Sequence, residues 1–466
     1  MLFRSRFSHV LEKGDTVAVF HSLKMKPVYL QRIVWDNICT ILNSITTNQT
    51  NTTTTIDNIE SLSIIDALKK NSTLIRKTAI DDQVLEHIIS NIPPPTIKIA
   101  YFILAETCNM KCSYCFENLN NNIPKSKNAL MSKTTVLKSL DFLAHQIESD
   151  KNGSDEINII IYGGEPLLNW SALTLLLESL ESRRKLNPNV WKRVKVSLVT
   201  NGTLISNDIA CYLKKHNVSV GISIDGPKPV NDINRLYVNN VSSFDATMKG
   251  INKCRNASLD FGLSVTLSEE CINSFREVID FIFKIKPLSI GFNILMTNNS
   301  ADYSNEYNTR AANFLIDAFQ EFRKHGLYED RIMRKVKSFI ESRIYPFDCG
   351  ATGGNQVVFA PSGRVGICHG FLQEKKFFPT TVDNHGFDPK EDPVFIEWGN
   401  RTPLKMTECQ SCIALGICGG GCPLNAERMS GSIWNLDDRF CVHAKRTVEW
   451  LIWDLYEHMV ESKTHL

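Results

Sequence analysis

Net charge is nearly absent from this sequence: 52 Lys and Arg against 50 Asp and Glu leave +2 over 466 residues. So weak a field offers no general attraction to nucleic acid or to an anionic membrane, and a partner must be recognised locally. Long apolar runs are missing too. No stretch approaches the roughly 18 apolar residues that a membrane-spanning helix needs, and the opening "MLFRSRFSHVLEKG" lacks the apolar segment of a secretory signal. Together these absences predict a cytoplasmic protein that binds neither nucleic acid nor membrane. In that reducing compartment 14 cysteines in tight groups read as metal ligands or catalysts rather than disulfides. The last absence is local. "CNMKCSYC", at 108–115, brings Cys108, Cys112 and Cys115 together and supplies no fourth cysteine.

Such a length exceeds one ordinary core, and composition divides the chain in three, at 1–96, 97–325 and 326–466. The first region reads strand, strand, helix over "TVAVFHSL", "KPVYL" and "QRIVWDNICTILNS". The polar tract "TTNQTNTTTTID" reads as a loop, further helices follow, and "NIPPPT" is a linker. In the second region six short apolar runs, from "IKIAYFILAE" to "LSIGFNILM", alternate with amphipathic segments of helix length. This is the pattern of β/α units around a parallel sheet, whose ligands lie at the carboxyl ends of the strands. The distinctive sequences fall at those ends: the cysteine triplet after the first strand, "GGEP" after the second, "TNG" after the third and "DGP" after the fourth. The third region is irregular and Gly-rich, with seven cysteines that organise it more than a core does.

Three thiolates on one loop can hold three irons of a four-iron cluster and leave the fourth iron open to an exogenous ligand, whereas zinc would need another ligand nearby. With Tyr114 and Phe116 flanking its last cysteine, this C-x3-C-x2-C loop resembles that of the radical S-adenosylmethionine (SAM) enzymes. The resemblance implies that SAM chelates the open iron and is cleaved to a 5′-deoxyadenosyl radical. It implies further that Gly163, Gly164, Glu165 and Pro166 receive the SAM amino group. Thr200 and Asn201 lie on the ribose side, Ser223 and Asp225 suit ribose hydroxyls, and Arg235 clamps the carboxylate. The family often has His where this chain has Asn231.

The tail order Cys349, Gly363, Cys368, then "CQSCIALGICGGGC" and Cys441 resembles the SPASM extension of peptide- and protein-modifying members, which carries two auxiliary clusters. By that resemblance Cys409, Cys412, Cys418 and Cys441 complete an outer cluster. Cys349, Cys368 and Cys422 hold an inner one whose fourth ligand, the eighth of the two clusters together, is missing, to be supplied by substrate, His369, His385 or an outlying cysteine. A zinc ribbon of Cys409, Cys412, Cys418 and Cys422 is the rival reading. Cys39, Cys211, Cys254 and Cys271 stand in apolar contexts and read as structural.

The expected fold is therefore α/β, a partial (β/α)6 TIM-like barrel. Before it stands a region resembling the winged-helix leader-peptide recognition modules of peptide maturases, and after it the SPASM extension. The expected cofactors are SAM and three [4Fe-4S] clusters. The expected function is maturation of a ribosomally made precursor peptide by a thioether or carbon–carbon crosslink, with electrons from a flavodoxin- or ferredoxin-like reductant. The alternatives are an anaerobic sulfatase-maturing enzyme making formylglycine, and a noncatalytic electron-transfer or peptide-delivery protein that retains its clusters. No motif marks a catalytic acid or base.

Overall fold

A computed structural model describes residues 3–46, 59–75, 79–116, 129–149, 156–296 and 305–464. The polar tract of the first region lies outside them, apart from its first residue. Near the N-terminus the short strands β1 (Phe3–Arg4) and β5 (Leu74–Ile75) pair with each other. Between them β2 (Ser8–Lys13), β3 (Thr16–His21) and β4 (Val28–Gln31) form an antiparallel sheet in that order, followed by the helices Arg32–Thr46, Ile59–Lys70 and Ala79–Ser90.

The second sheet is the scaffold of the molecule. Its six central strands are β6 (Ile99–Ala105), β7 (Ile157–Gly163), β8 (Val194–Thr200), β9 (Val218–Ser223), β10 (Phe261–Leu267) and β11 (Ser289–Ile294). All are parallel and each lies beside the next, as expected of β/α units. β12 (Tyr328–Glu329) extends one edge beside β11. Beyond the other, β13 (Gln356–Phe359) pairs in parallel with β6, and β14 (Arg364–Gly366) and β15 (Thr380–Thr381) follow. A single sheet thus crosses the expected 325/326 division, because the free edges of the six-strand unit are satisfied by strands of the third region.

Pattern explains the strands. β8 and β10 alternate buried with less buried residues, and both point their buried set (Val194, Val196, Leu198; Leu263, Val265, Leu267) into the largest core. Helix Trp170–Leu186 covers that core with Leu173, Leu176, Leu177 and Leu180, spaced for one helical face. Each such side chain contributes on the order of 1.5–3 kcal/mol by burial.

β3 is buried on both faces. Val17 and Val19 pack on Trp35, Ile38 and Leu68, while Ala18 and Phe20 pack on Ile417, Val448, Leu451 and Ile452 of the third region. The N-terminal sheet is therefore seated on the C-terminal helix Asp438–Thr464. Sequence pattern missed β2, whose "SHVLEK" is half polar and becomes a strand through its pairing with β3.

Candidate functional site

The three-cysteine loop leaves β6 at the C-terminal rim of the sheet and is fixed from two sides. Gly164 N donates to Ala105 O at 2.8 Å and Glu165 N to Thr107 O at 2.9 Å, which ties the end of β7 to the start of the loop. Only glycine permits this approach: Gly163 has φ +140°, and a Cβ on it would stand 2.1 Å from Ala105 O. On the other side Lys111 N donates to Leu236 O at 2.8 Å and Ser113 N to Asn234 O at 3.0 Å. The Met110 amide points at Cys108 Sγ from 3.3 Å and Asn201 Nδ2 from 3.8 Å, donors suited to a thiolate. Burial pushes the Cys108 thiol up to about 11 and raises that of Cys112, so a bound cation is what would hold them ionised.

The residues expected to contact a cofactor fall into two groups. Gly163, Gly164, Thr200, Asn201, Ser223 and Arg235 line a cavity beside the cysteine loop. Glu165, Pro166 and Asp225 are not on its wall. Glu165 is fully buried, accepting from Leu167 N at 3.0 Å, Thr200 Oγ1 at 2.8 Å and Asn201 N at 2.9 Å. It braces the ends of β7 and β8, and desolvation raises its pKa against those three donors. Pro166 opens the short helical turn behind it. Asp225 is also fully buried, accepting from Thr266 N at 2.9 Å and from the Tyr114 hydroxyl. That hydroxyl in turn accepts from Arg235 Nη1 at 2.8 Å. Asn231 is buried behind this network, its Oδ1 accepting from Asp225 N at 3.4 Å.

In the third region the cysteines separate into two electrostatically coupled groups. Cys368 feels Cys422 and Cys349, and Cys422 feels Cys349. Cys409 feels Cys418 and Cys412, and Cys441 feels Cys418 and Cys409. Burial is the largest cause of a raised thiol pKa at Cys368, Cys409, Cys418, Cys422 and Cys441. Gly419, Gly420 and Gly421, all at positive φ, turn the chain so that Cys418 joins one group and Cys422 the other. Arg401, fully buried, lies between the groups and donates to Gly420 O at 2.8 Å, Asn435 O at 3.0 Å and Ile433 O. Among the described residues no three His, Cys, Asp or Glu side chains converge on one ion position. Thiols grouped by threes and fours suit clusters in which each iron takes one thiolate.

A single cavity of about 900 Å³ joins the two halves. Cys108, Cys112 and Cys115 line it on the barrel side, and Cys349, Cys368 and Cys422 on the tail side. Between them His369 stacks on Tyr101 with ring centroids 4.5 Å apart and touches Tyr162 and Phe116. His385 lies on an exposed turn away from this wall. The barrel and tail walls are locked by Arg439. It forms a bidentate pair with Asp437 at 2.9 and 2.8 Å, donates to Leu295 O at 2.7 Å and Ile294 O at 3.1 Å, and Asp437 also receives Cys422 N at 3.1 Å. Cys254 and Cys271 are buried in the barrel core, whereas Cys211 is exposed and so does not pack as expected.

Sequence reasoning passed over Tyr101, Glu106, Arg331 and Arg439, which also line the cavity. They stand in no motif, and only folding brings them together. Tyr114 was visible as a neighbour of Cys115, but not as the hinge of the Asp225–Arg235 network.

Residues 102–282 match the model of the radical SAM superfamily. The chain is 27% identical over 373 residues to the radical SAM cyclopropyl synthase TigE of Paramaledivibacter caminithermalis, covering 76% of this chain and 74% of that one. It is 25% identical over 333 residues to the serine-type anaerobic sulfatase-maturating enzyme of Klebsiella aerogenes, covering 69% and 79%. In fold it resembles Streptococcus suis SuiB, in a structure bound to precursor peptide SuiA, with a TM-score of 0.53 and 13% identity over 95% of this chain and 100% of that one.

Proposed function

The chain is a radical SAM enzyme of the SPASM type, and from that premise we propose that it matures a ribosomally made peptide by forming a thioether or carbon–carbon crosslink. The observation that carries this reading is the continuous cavity lined by both the three-cysteine loop and the Cys349, Cys368 and Cys422 group. Its volume of about 900 Å³ lies at the upper end for small-ligand sites, leaving room for a peptide segment beside a cofactor.

Cys108, Cys112 and Cys115 would hold a cluster to which SAM binds, and that pair would supply the power to take hydrogen from an unactivated C–H bond. The chain's own residues orient that chemistry. Arg235, held by Tyr114 against Asp225, presents a fixed cation for the SAM carboxylate, and Ser223 offers a hydroxyl to the ribose. Glu165 acts behind the wall, setting the Thr200–Asn201 rim. Tyr101, Phe116, Tyr162 and His369 form an aromatic wall that keeps water from the reacting carbon.

The two tail groups of thiols would hold auxiliary clusters, the inner one short of a protein thiolate. A crosslink removes two hydrogens from the peptide, one as an atom and one as a proton with an electron, and these clusters would accept that electron. A flavodoxin- or ferredoxin-like protein would supply the initiating electron. β4 ends the N-terminal sheet and offers an edge to a leader peptide.

Coexpression with a cognate precursor followed by mass spectrometry tests the proposal. A loss of two hydrogens within one peptide, with fragmentation blocked across the joined residues, is expected. An unchanged mass despite cleavage of SAM would refute it. Similarity to the Klebsiella enzyme supports a second reading, oxidation of a Cys or Ser to formylglycine. An aldehyde at that single residue, with no crosslink, would decide for it.

A further inference from the structure

A guanidinium on the cavity wall forms no ion pair among the described residues. Arg331, at the start of helix Asp330–Glu341, donates from Nε to Phe292 O at 2.7 Å, and its guanidinium lies 5.1 Å from the ring centre of Phe440. Its Nη1 is shut off from solvent and has no hydrogen-bond partner among the described residues. Arg334, Arg439 and Glu329 are engaged elsewhere, while the Asp348 carboxylate stands on the same cavity wall and acts on Arg331 through its charge. Arg334 pairs with Asp330 at 3.1 Å and donates to Tyr345 and to Asp348 O. Arg439 pairs with Asp437. Glu329 accepts from the amides of Arg331 and Ile332 at 2.8 Å each. Asp348, Glu329 and Asp330 are near enough to feel the Arg331 charge, yet none forms an ion pair with it.

A partly buried guanidinium with an unmet donor is costly unless a ligand completes it. The SAM carboxylate is not that ligand. Arg235 donates to Tyr114 inside the cysteine loop, whereas Arg331 lies against Phe292 and Phe440, away from that loop. On an unmodified ribosomal peptide the anionic groups are carboxylates, which pair with a guanidinium through charge-assisted hydrogen bonds. Resting on the peptide reading above, we infer that Arg331 is a specificity residue that binds a carboxylate of the peptide substrate, an Asp or Glu side chain or the C-terminus, and so sets which residue reaches the radical.

The test is selection of a random-sequence peptide display library on the anaerobically reconstituted, SAM-loaded holoenzyme and on its Arg331→Gln and Arg331→Glu variants. Iron content and SAM affinity are measured on all three. Peptides retained by the parent enzyme should be enriched in a carboxylate at one position. That enrichment should vanish with Arg331→Gln and turn into enrichment of Lys or Arg with Arg331→Glu, a reversal that mere structural damage does not produce. Replacing the selected Asp by Asn should weaken binding to the parent by about tenfold, as expected for one charge-assisted pair, and leave binding to Arg331→Gln unchanged. Retained peptides without a carboxylate preference, or with the same preference on all three proteins, would overturn the inference and leave the peptide reading standing. Loss of SAM affinity in Arg331→Gln would overturn it by assigning the guanidinium to the cofactor. No retained peptide at all would overturn both.

Discussion

Removing the carboxylate of Asp437 should loosen the joint between the two cavity walls. Asp437 and Arg439 are 1% and 4% exposed, so Asp437→Ala leaves a guanidinium buried without its anion and also deprives Cys422 N of its acceptor. Breaking a buried pair on one side costs about 3–5 kcal/mol. Unfolding entropy of about 2.1 cal/mol/K per residue over 466 residues amounts to about 1 kcal/mol/K, so the melting temperature of the anaerobic holoenzyme should fall by about 3–5 °C. Asp437→Ala combined with Arg439→Met removes the stranded charge and should recover part of the loss. About 1–3 °C would remain, because the carbonyls of Ile294 and Leu295 lose their donor. Differential scanning calorimetry of the single and double variants measures both. A single variant within about 1 °C of the parent, or a double variant no better than the single, would refute this account of the joint.

Tyr114→Phe removes the hydroxyl that links Asp225 to Arg235, and SAM affinity measured by equilibrium dialysis should fall by about tenfold at unchanged iron content. Burial raises the Glu329 pKa from 4.5 to about 7, so the folded chain holds a proton there that the unfolded chain releases between those values. The stability this gives is full below pH 4.5 and is lost as pH rises through about 7, by about 3 kcal/mol in all. Glu329→Gln should flatten that fall, which melting temperatures across this pH window would show. Iron analysis of anaerobically prepared protein should give about twelve irons per chain, and about eight when Cys108, Cys112 and Cys115 are all changed to alanine. About four irons with zinc would instead make the tail a structural metal site.

Some of the site was legible because its chemistry is local. Three thiols within one loop, glycines where two backbones touch at Gly163 and Ala105, and a "GGG" that parts Cys418 from Cys422 are short-range necessities that a linear chain displays. Glu165 and Asp225 were legible as residues but not as positions. Both end a strand facing the site, yet the structure turns their carboxylates onto neighbouring amides and hydroxyls, behind the wall they were expected to form.

Sequence alone determined the six parallel strands, since alternation and apolar runs report burial one strand at a time, and it determined which segments stand at the strands' carboxyl ends. Only the tertiary structure decided that β12 and β13 would complete the sheet from beyond the barrel, that β3 would be buried on both faces, and that Arg331 would stand on the wall with no ion pair among the described residues. The physical reason is the same in each case. An edge, a second buried face and an unmade ion pair are properties of what packs alongside, and those neighbours lie far away along the chain.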